Sequence, residues 1–287
     1  MSVIPDLVYD IGANNGDDAE YYLARGFRVL CIEADPTLCR DLEARFAAPL
    51  AAGKLRVVNA ALASTRGTME FWVCEGKSVW NSFDKAVATR EGHKATSVVL
   101  EAYPMDQLFA LHGVPHYVKM SLHGQEHFCL ADIHPPAAPT YLSLELPRDS
   151  ATSAAVFDRL AALGYDHFKV IEQTTLTPLA LPTPPSLKER VKSALGTVPP
   201  LLAAAQALNS LRQAATGATP EPYTGVRSVG GYAFQDGCSG PFGEETPGPW
   251  HTPADAKRDY LEYLKVVGSD AKPNLSIWHD VHVRRPA

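Results

Sequence analysis

Short apolar runs alternate with segments of helical period over residues 1–175. Leu7 to Gly12 is almost wholly apolar and ends on a glycine, the pattern of a strand buried on both faces. Asp17 to Gly26 has helical character, with aspartates at its start and Gly26 as a stop. Arg28 to Glu33 reads as a second strand. Asp35 and Pro36 then open a helix as N-cap and first helical residue, and Leu38, Leu42 and Phe46 continue it at helical spacing. Leu55 to Leu62, Tyr117 to Leu122, Thr140 to Leu146 and His167 to Gln173 are further strands, and Thr68 to Val73 alternates as a sheet edge or hairpin would. Ser153 to Leu163 is a helix closed by Gly164. Strands separated by helices imply crossover units, and hence a doubly wound, mostly parallel sheet of Rossmann-like α/β class. Ligands of such sheets bind beyond the carboxyl ends of the strands, near the switch in strand order.

The last third breaks the pattern. Of the 23 prolines, 14 follow Thr175, and Leu176 to Pro185 reads as an exposed connector. Lys188 to Ala215 favours helix, and Pro220 to Pro253 is rich in Gly, Pro and aromatics without a period. Asp255 to Val267 reads as helix and Ser276 to Val283 as a closing strand. We therefore expect a core over residues 1–175, an insertion or lid over 176–253, and a closing helix and strand of the core over 254–287. No internal repeat is visible.

Composition narrows the class of partner. The 287 residues carry 26 Lys+Arg against 32 Asp+Glu, a net charge of -6, so the broad basic surface of a nucleic-acid binder is missing. Neither a run of 18 apolar residues nor a basic, apolar leader is present, so neither a transmembrane segment nor a secretory signal is expected. Five cysteines without a CxxC pair argue against a zinc knuckle or disulfide framework and for a cytoplasmic protein with reduced thiols. Lys188 to Lys192 is basic and precedes the amphipathic Leu195 to Leu211, which suits peripheral membrane contact, a lid helix or a dimer contact; the oligomeric state is not legible.

The most informative stretch is Asp10-Ile11-Gly12-Ala13-Asn14-Asn15-Gly16-Asp17, which leaves a strand, turns on glycines and enters a helix. Gly12 permits a tight turn with close approach of a ligand. Glu33, about twenty residues on at the end of the next strand, suits both hydroxyls of a ribose. The spacing Gly12-x-x-x-Gly16 departs from the GxGxxG of dinucleotide sites, and the preceding Asp10 suits a cationic ligand better than a pyrophosphate. S-adenosylmethionine, with its sulfonium and ammonium, fits; a nicotinamide cofactor or a structural glycine turn are the alternatives.

Tyr9-Asp10-Ile11-Gly12-Ala13-Asn14-Asn15-Gly16, Glu33-Ala34-Asp35-Pro36, Asn59-Ala60-Ala61-Leu62 and Trp80-Asn81-Ser82, in that order, resemble class I S-adenosylmethionine-dependent methyltransferases of the FkbM type. The likeness runs from Val8 to Leu146, with tail pieces at Ser239 to Glu245 and Trp278 to His282. It implies that Asp10, Gly12, Asn14 and Gly16 hold the methionine and sulfonium side of the cofactor. Glu33 would hold the ribose, Ala34 or Asp35 would flank the adenine, and Asn59, Ala60 and Ala61 would line its pocket. Asn14 could instead only supply a left-handed turn, Asn59 a strand-end cap and Asp35 a helix N-cap.

One segment departs from the family. Where the family has Lys-Ile-Asp-Val-Glu-Gly and a further Glu, this chain reads Lys119-Met120-Ser121-Leu122-His123-Gly124-Gln125-Glu126. A hydroxyl and an imidazole replace two carboxylates beside the expected methyl. Methyl transfer to a hydroxyl needs position and a base, and His123 titrates near neutrality. It could be that base, orient substrate, or do neither; Ser121 could orient substrate, and Lys119 and Glu145 complete the candidate catalytic set. Asp280 and His282 share a strand face and could form a base-and-orienter pair, although a metal would need more ligands than these. The expected activity is O-methylation of a hydroxyl on a sugar, in a glycan or a glycosylated metabolite. A non-catalytic cofactor-binding or partner-binding protein of the same fold is the alternative.

Overall fold

The computed structural model describes residues 2–122, 126–181, 228–229, 231–267 and 278–286, with the side chains of 127 and 128 left aside. One compact unit takes in residues 1–179 and 227–287. In chain order its elements are β1 Val3–Ile11, α1 Asp17–Ala24, β2 Arg28–Glu33, α2 Pro36–Arg45, α3 Ala47–Ala51, β3 Leu55–Asn59 and β4 Ala61–Leu62. Then come β5 Gly67–Cys74, α4 Lys85–Ala88, β6 Ala95–Tyr103, α5 Met105–His112, β7 Val114–Met120, α6 Glu126–Ala131 and β8 Tyr141–Glu145. The unit closes with α7 Ser150–Ala162, β9 His167–Glu172, β10 Thr177–Pro178, β11 Ser228–Val229, β12 Tyr232–Ala233, α8 Pro253–Val267 and β13 His279–Arg284.

Eight strands form the main sheet in the order β10-β9-β13-β8-β7-β1-β2-β3. The pairs β1–β2, β2–β3, β1–β7 and β7–β8 are parallel, whereas β13 runs antiparallel between β8 and β9. The chain winds outward from β1 through β2 to β3, then returns to the other side of β1 as β7, which places the switch in strand order between β1 and β7. This is the doubly wound, Rossmann-like sheet expected from the sequence. Strand alternation sends Tyr9, Ile11, Val118, Leu142 and Val281 into one core with α5 to α8. Val8, Val29, Cys31 and Tyr117 enter a second core with α1, α2 and Phe234. The closing strand brings Val281 and Val283 into the first core at 0 and 1% exposure, so the C-terminal segment completes the sheet.

Local chemistry explains the ends. Asp35 caps α2 by accepting from the Thr37 amide, and Pro36 starts the helix with its φ already set. Asp149 caps α7 through the Thr152 amide. Two readings change. The run Leu55 to Leu62 is not one strand: it breaks at Ala60, whose amide turns to the Glu33 carbonyl, and β4 then joins a separate sheet in the order β4-β6-β5. The β5–β6 hairpin also carries a strand the pattern hides, because Val98 and Val99 are adjacent and Val99 is 72% exposed. Its inner face, with Phe71, Leu100 and Ala102, makes a small core of its own. Among the described residues no helix is long and apolar enough to cross a membrane. The helix-favouring stretch Lys188 to Ala215 lies outside them, and with it the expected membrane contact.

Candidate functional site

A cleft of about 920 Å³ opens at the carboxyl ends of β1, β2, β7 and β8, at the switch in strand order. Its middle is the turn after β1. Gly12 holds φ at +71°, and a Cβ there would stand 2.1 Å from the Ser121 carbonyl oxygen, so only glycine lets β1 and β7 end this close together. Asn14 takes a left-handed φ of 47°. Its amide donates to Glu33 Oε2 at 2.8 Å, and its Oδ1 accepts from the Ser78 hydroxyl at 3.2 Å. Glu33 Oε1 accepts from the Asp35 amide at 2.9 Å, so the carboxylate is fixed at the end of β2 with its face to the cleft. Burial raises its pKa, against the pull of those two amides.

The cleft beside Glu33 is apolar: Ala34, Leu38, Ala60, Ala61, Leu62 and Phe71 line it. Trp80, Asn81 and Arg90, from the segment between β5 and β6, form the outer wall. Two cations approach the Trp80 ring, Lys77 Nζ at 3.7 Å and Arg90 Cζ at 4.1 Å from its centre. Asn81 ties this wall to the floor by donating to Asp35 at 2.9 Å.

The opposite end is acidic. Lys119 is buried and reaches Asp10 at 3.1 Å, Asp18 at 3.4 Å and the Gly12 carbonyl at 3.2 Å. Both carboxylates push its pKa up against the effect of burial. Asp18 also accepts from the Ser239 amide at 2.9 Å, which docks the segment before α8 onto α1. Beyond this tie, Glu145 and Asp280 line the cleft with Ser121, Arg148, Asp236 and Trp278. Burial lifts Glu145 to about 7, with Glu126 adding to the rise and Arg148 opposing it, and burial raises Asp280 well above the carboxylate range.

The sequence-derived set divides accordingly. Gly12, Asn14, Glu33, Ala34, Ala60, Ala61, Lys119, Ser121 and Glu145 line the cleft. Asp10 does not: it is 0% exposed and its carboxylate faces Lys119, so it supports the turn from beneath. Gly16 does not line it either. Its bare Cα faces Leu42 and Phe46, where a Cβ would meet carbons at 2.6 and 2.5 Å, so the glycine serves the packing of α2 on the turn. Asn59 is a strap, its side-chain amide donating to the Glu33 and Ala34 carbonyls at 3.0 Å each. Asp280 and His282 share a face but not a hydrogen bond, and His282 stands in the sheet opposite Ser143 and Lys169, away from the cleft. His123 lies outside the described residues. Sequence reading missed Asp18 as partner of Lys119 and Arg148 as a wall; Asp18 carried a signal, as the second acidic residue of the helix after the glycine turn.

The residues fit an S-adenosyl nucleoside. A fixed carboxylate, Glu33, and small apolar residues, Ala34, Ala60 and Ala61, stand together in one cleft beside the Gly12 turn. No family model matches the chain, and no curated protein does. Among solved structures it is similar to a precorrin-6y C5,15-methyltransferase from Geobacter metallireducens, at 11% identity over 62% of this chain and 74% of that one, with a TM-score of 0.31. A SAM-dependent methyltransferase from Thiobacillus denitrificans in complex with S-adenosyl-L-homocysteine matches at 10% identity over 99% of this chain and 86% of that one, with a TM-score of 0.33. A phosphoethanolamine N-methyltransferase from Haemonchus contortus matches at 9% identity over the whole of this chain and 50% of that one, with a TM-score of 0.35. Likenesses this distant say nothing of ligand or reaction, so the chemistry rests on this chain's own residues.

Proposed function

We propose that the protein is an S-adenosylmethionine-dependent methyltransferase, of the FkbM type that its motifs resemble, acting on a hydroxyl of a sugar in a glycan or a glycosylated metabolite. The observation that carries this reading is Glu33, a buried carboxylate fixed by two amides, in one cleft with the Gly12 turn. A ribose has two adjacent hydroxyls to donate, and a carboxylate already held in place accepts them at little entropic cost. Ala34, Ala60, Ala61 and Leu62 suit the adenine. The acceptor then enters from the side of Ser121 and Glu145, whose oxygen atoms suit a polyhydroxyl compound. His123, two positions after Ser121 in the sequence, is a candidate base. The five cysteines are buried and outside any disulfide, which agrees with a cytoplasmic setting.

Calorimetric titration with S-adenosylmethionine, S-adenosylhomocysteine and NAD tests the cofactor, and a labelled-methyl screen over sugars then tests the acceptor. Glu33→Ala should weaken S-adenosylhomocysteine by about 1–3 kcal/mol, the scale of lost hydrogen bonds to a charged group, with the fold retained. Unchanged affinity in the folded variant removes Glu33 from the site. A second reading, a binding module without turnover, draws on Ser121 standing in the cleft where the resembling family has a carboxylate; cofactor binding without methyl transfer to any acceptor, together with activity gained by Ser121→Asp with His123→Glu, would favour it.

A further inference from the structure

Glu145 ends β8 and Asp280 lies near the start of β13, directly opposite it in the antiparallel register. The Leu146 amide donates to the His279 carbonyl at 2.8 Å, which locks that register. Residues so paired have Cα atoms about 4.5–5.5 Å apart with side chains on one face. Both carboxyl groups line the cleft. Asp280 is 3% exposed and accepts no hydrogen bond among the described residues, and Glu145 accepts none either. Ionising a carboxyl this deep in the cleft is costly, so burial favours a retained proton. Of the cations near the pair, Lys119 is already engaged by Asp10 and Asp18, and Arg148 offsets only part of the rise at Glu145.

We propose that Glu145 and Asp280 form a carboxylic acid–carboxylate pair that holds one shared proton and receives the acceptor hydroxyl. The proposal deepens the methyltransferase reading and rests on it. A pair with one proton presents one donor and several acceptor lone pairs, which matches a neutral hydroxyl, a group that both donates and accepts. An ammonium only donates, and would call for both carboxyls ionised. In transfer, the acceptor oxygen forms its bond to the methyl carbon as the carbon–sulfur bond breaks. The bonding pair goes to sulfur, which becomes a neutral thioether, and the hydroxyl proton goes to the ionised carboxylate. Glu145 and Asp280 are then catalytic residues, alongside any role of His123.

Burial, and then the groups facing the pair, set where it titrates. From β7 Lys119 lowers Asp280, and from α1 Asp18 raises it. From α6 Glu126 raises both carboxyls, while Arg148, just past β8, lowers Glu145. The Tyr117 and Tyr260 hydroxyls also lie within electrostatic reach, and both stay neutral because burial raises them. The sum leaves Glu145 near 7, where a base is most effective at neutral pH.

The test is an infrared pH titration of the full chain, free and saturated with S-adenosylhomocysteine. One protonated-carboxyl band should be lost with an apparent pKa near 7 and be absent in Glu145→Gln, while the band that persists above that pH should be absent in Asp280→Asn. Affinity for S-adenosylhomocysteine should change less than about threefold in either variant, since the pair belongs to the acceptor. With an acceptor from the labelled-methyl screen, Glu145→Gln should lower kcat about a hundredfold and flatten its acid limb. Both carboxyls ionised at pH 7, a band that persists in both variants, or a loss of S-adenosylhomocysteine affinity overturns the pair. A wild-type chain that shows the band but binds neither S-adenosyl compound overturns the cofactor reading instead, because the free chain reports the pair on its own. Circular dichroism on both near-isosteric variants confirms that a lost band is not lost fold.

Discussion

Two buried clusters share one face of the same sheet and solve the problem of charge in opposite ways. Asp10, Lys119, Ser143, His282 and Lys169 stand side by side across β1, β7, β8, β13 and β9. At one end Lys119 sits between Asp10 and Asp18 and against a carbonyl, so charge meets charge within 3.4 Å. One strand-end step away, burial raises Glu145 and Asp280, and Arg148 and Lys119 only partly oppose that rise. A paired buried charge mainly costs stability when broken, whereas an unpaired one shifts its proton equilibrium. The first cluster is architecture under the glycine turn, and the second is chemistry beside the cleft.

The largest expected effect follows from the paired cluster. Lys119→Met strands two buried carboxylates, and should cost about 3–5 kcal/mol in urea unfolding. Adding Asp18→Asn should recover part of that loss. A cost under about 1 kcal/mol would mean that the two clusters do not differ in kind.

Acid stability sharpens the contrast. Burial holds His282 at about 3 and His279 at about 4, against 6.5 unfolded, with Lys169 and Arg148 adding to the depression. The unfolded chain therefore binds more protons below 6.5, and each histidine removes about 1.4 kcal/mol per pH unit as the pH falls from there. Glu145 works the other way: raised to about 7 from 4.5, it leaves the folded chain with more bound protons between those values, and its stabilisation fades as the pH rises through 7. The two trends offset. Between pH 7 and pH 5, Glu145→Gln should steepen the acid loss by about 2–3 kcal/mol, and His282→Leu should relieve it by about 2 kcal/mol. Unfolding curves at the two pH values read both, and parallel shifts at both would deny the carboxyl its raised affinity for protons.

How much of this the sequence discloses depends on whether a residue's role is local. Gly12, Glu33 and the Asp35-Pro36 cap are legible because strand, turn and helix signals lie within a few residues of them. The doubly wound order follows from the alternation of strands and helices. Asp10 and Lys119 read as site residues because both end strands at the cleft. Only the register shows that they neutralise each other below it. Asp280 and Glu145 are 135 positions apart in sequence, so their juxtaposition needs the antiparallel insertion of β13 next to β8, which no period announces. Asn59 misleads for a different reason: a strand-end asparagine looks alike as strap or as ligand contact until its amide is seen on the Glu33 and Ala34 carbonyls.

The smallest expected effect asks whether the two clusters are independent. Ser143 stands between them on β8, opposite both Lys119 and His282, and its hydroxyl shares a 2.6 Å hydrogen bond with Tyr117. Ser143→Ala leaves the buried tyrosine hydroxyl without that partner and should cost about 1 kcal/mol. If the paired cluster is architecture and the carboxyl pair is a separate proton site, the loss stays there: the Glu145 band keeps its apparent pKa within a few tenths of a unit. The combined cost with Glu145→Gln is then additive within about 0.5 kcal/mol. A shift of a full pH unit, or coupling above about 1 kcal/mol, would join the clusters through Ser143 and Tyr117 into one network, and the division between support and chemistry would fail at that serine.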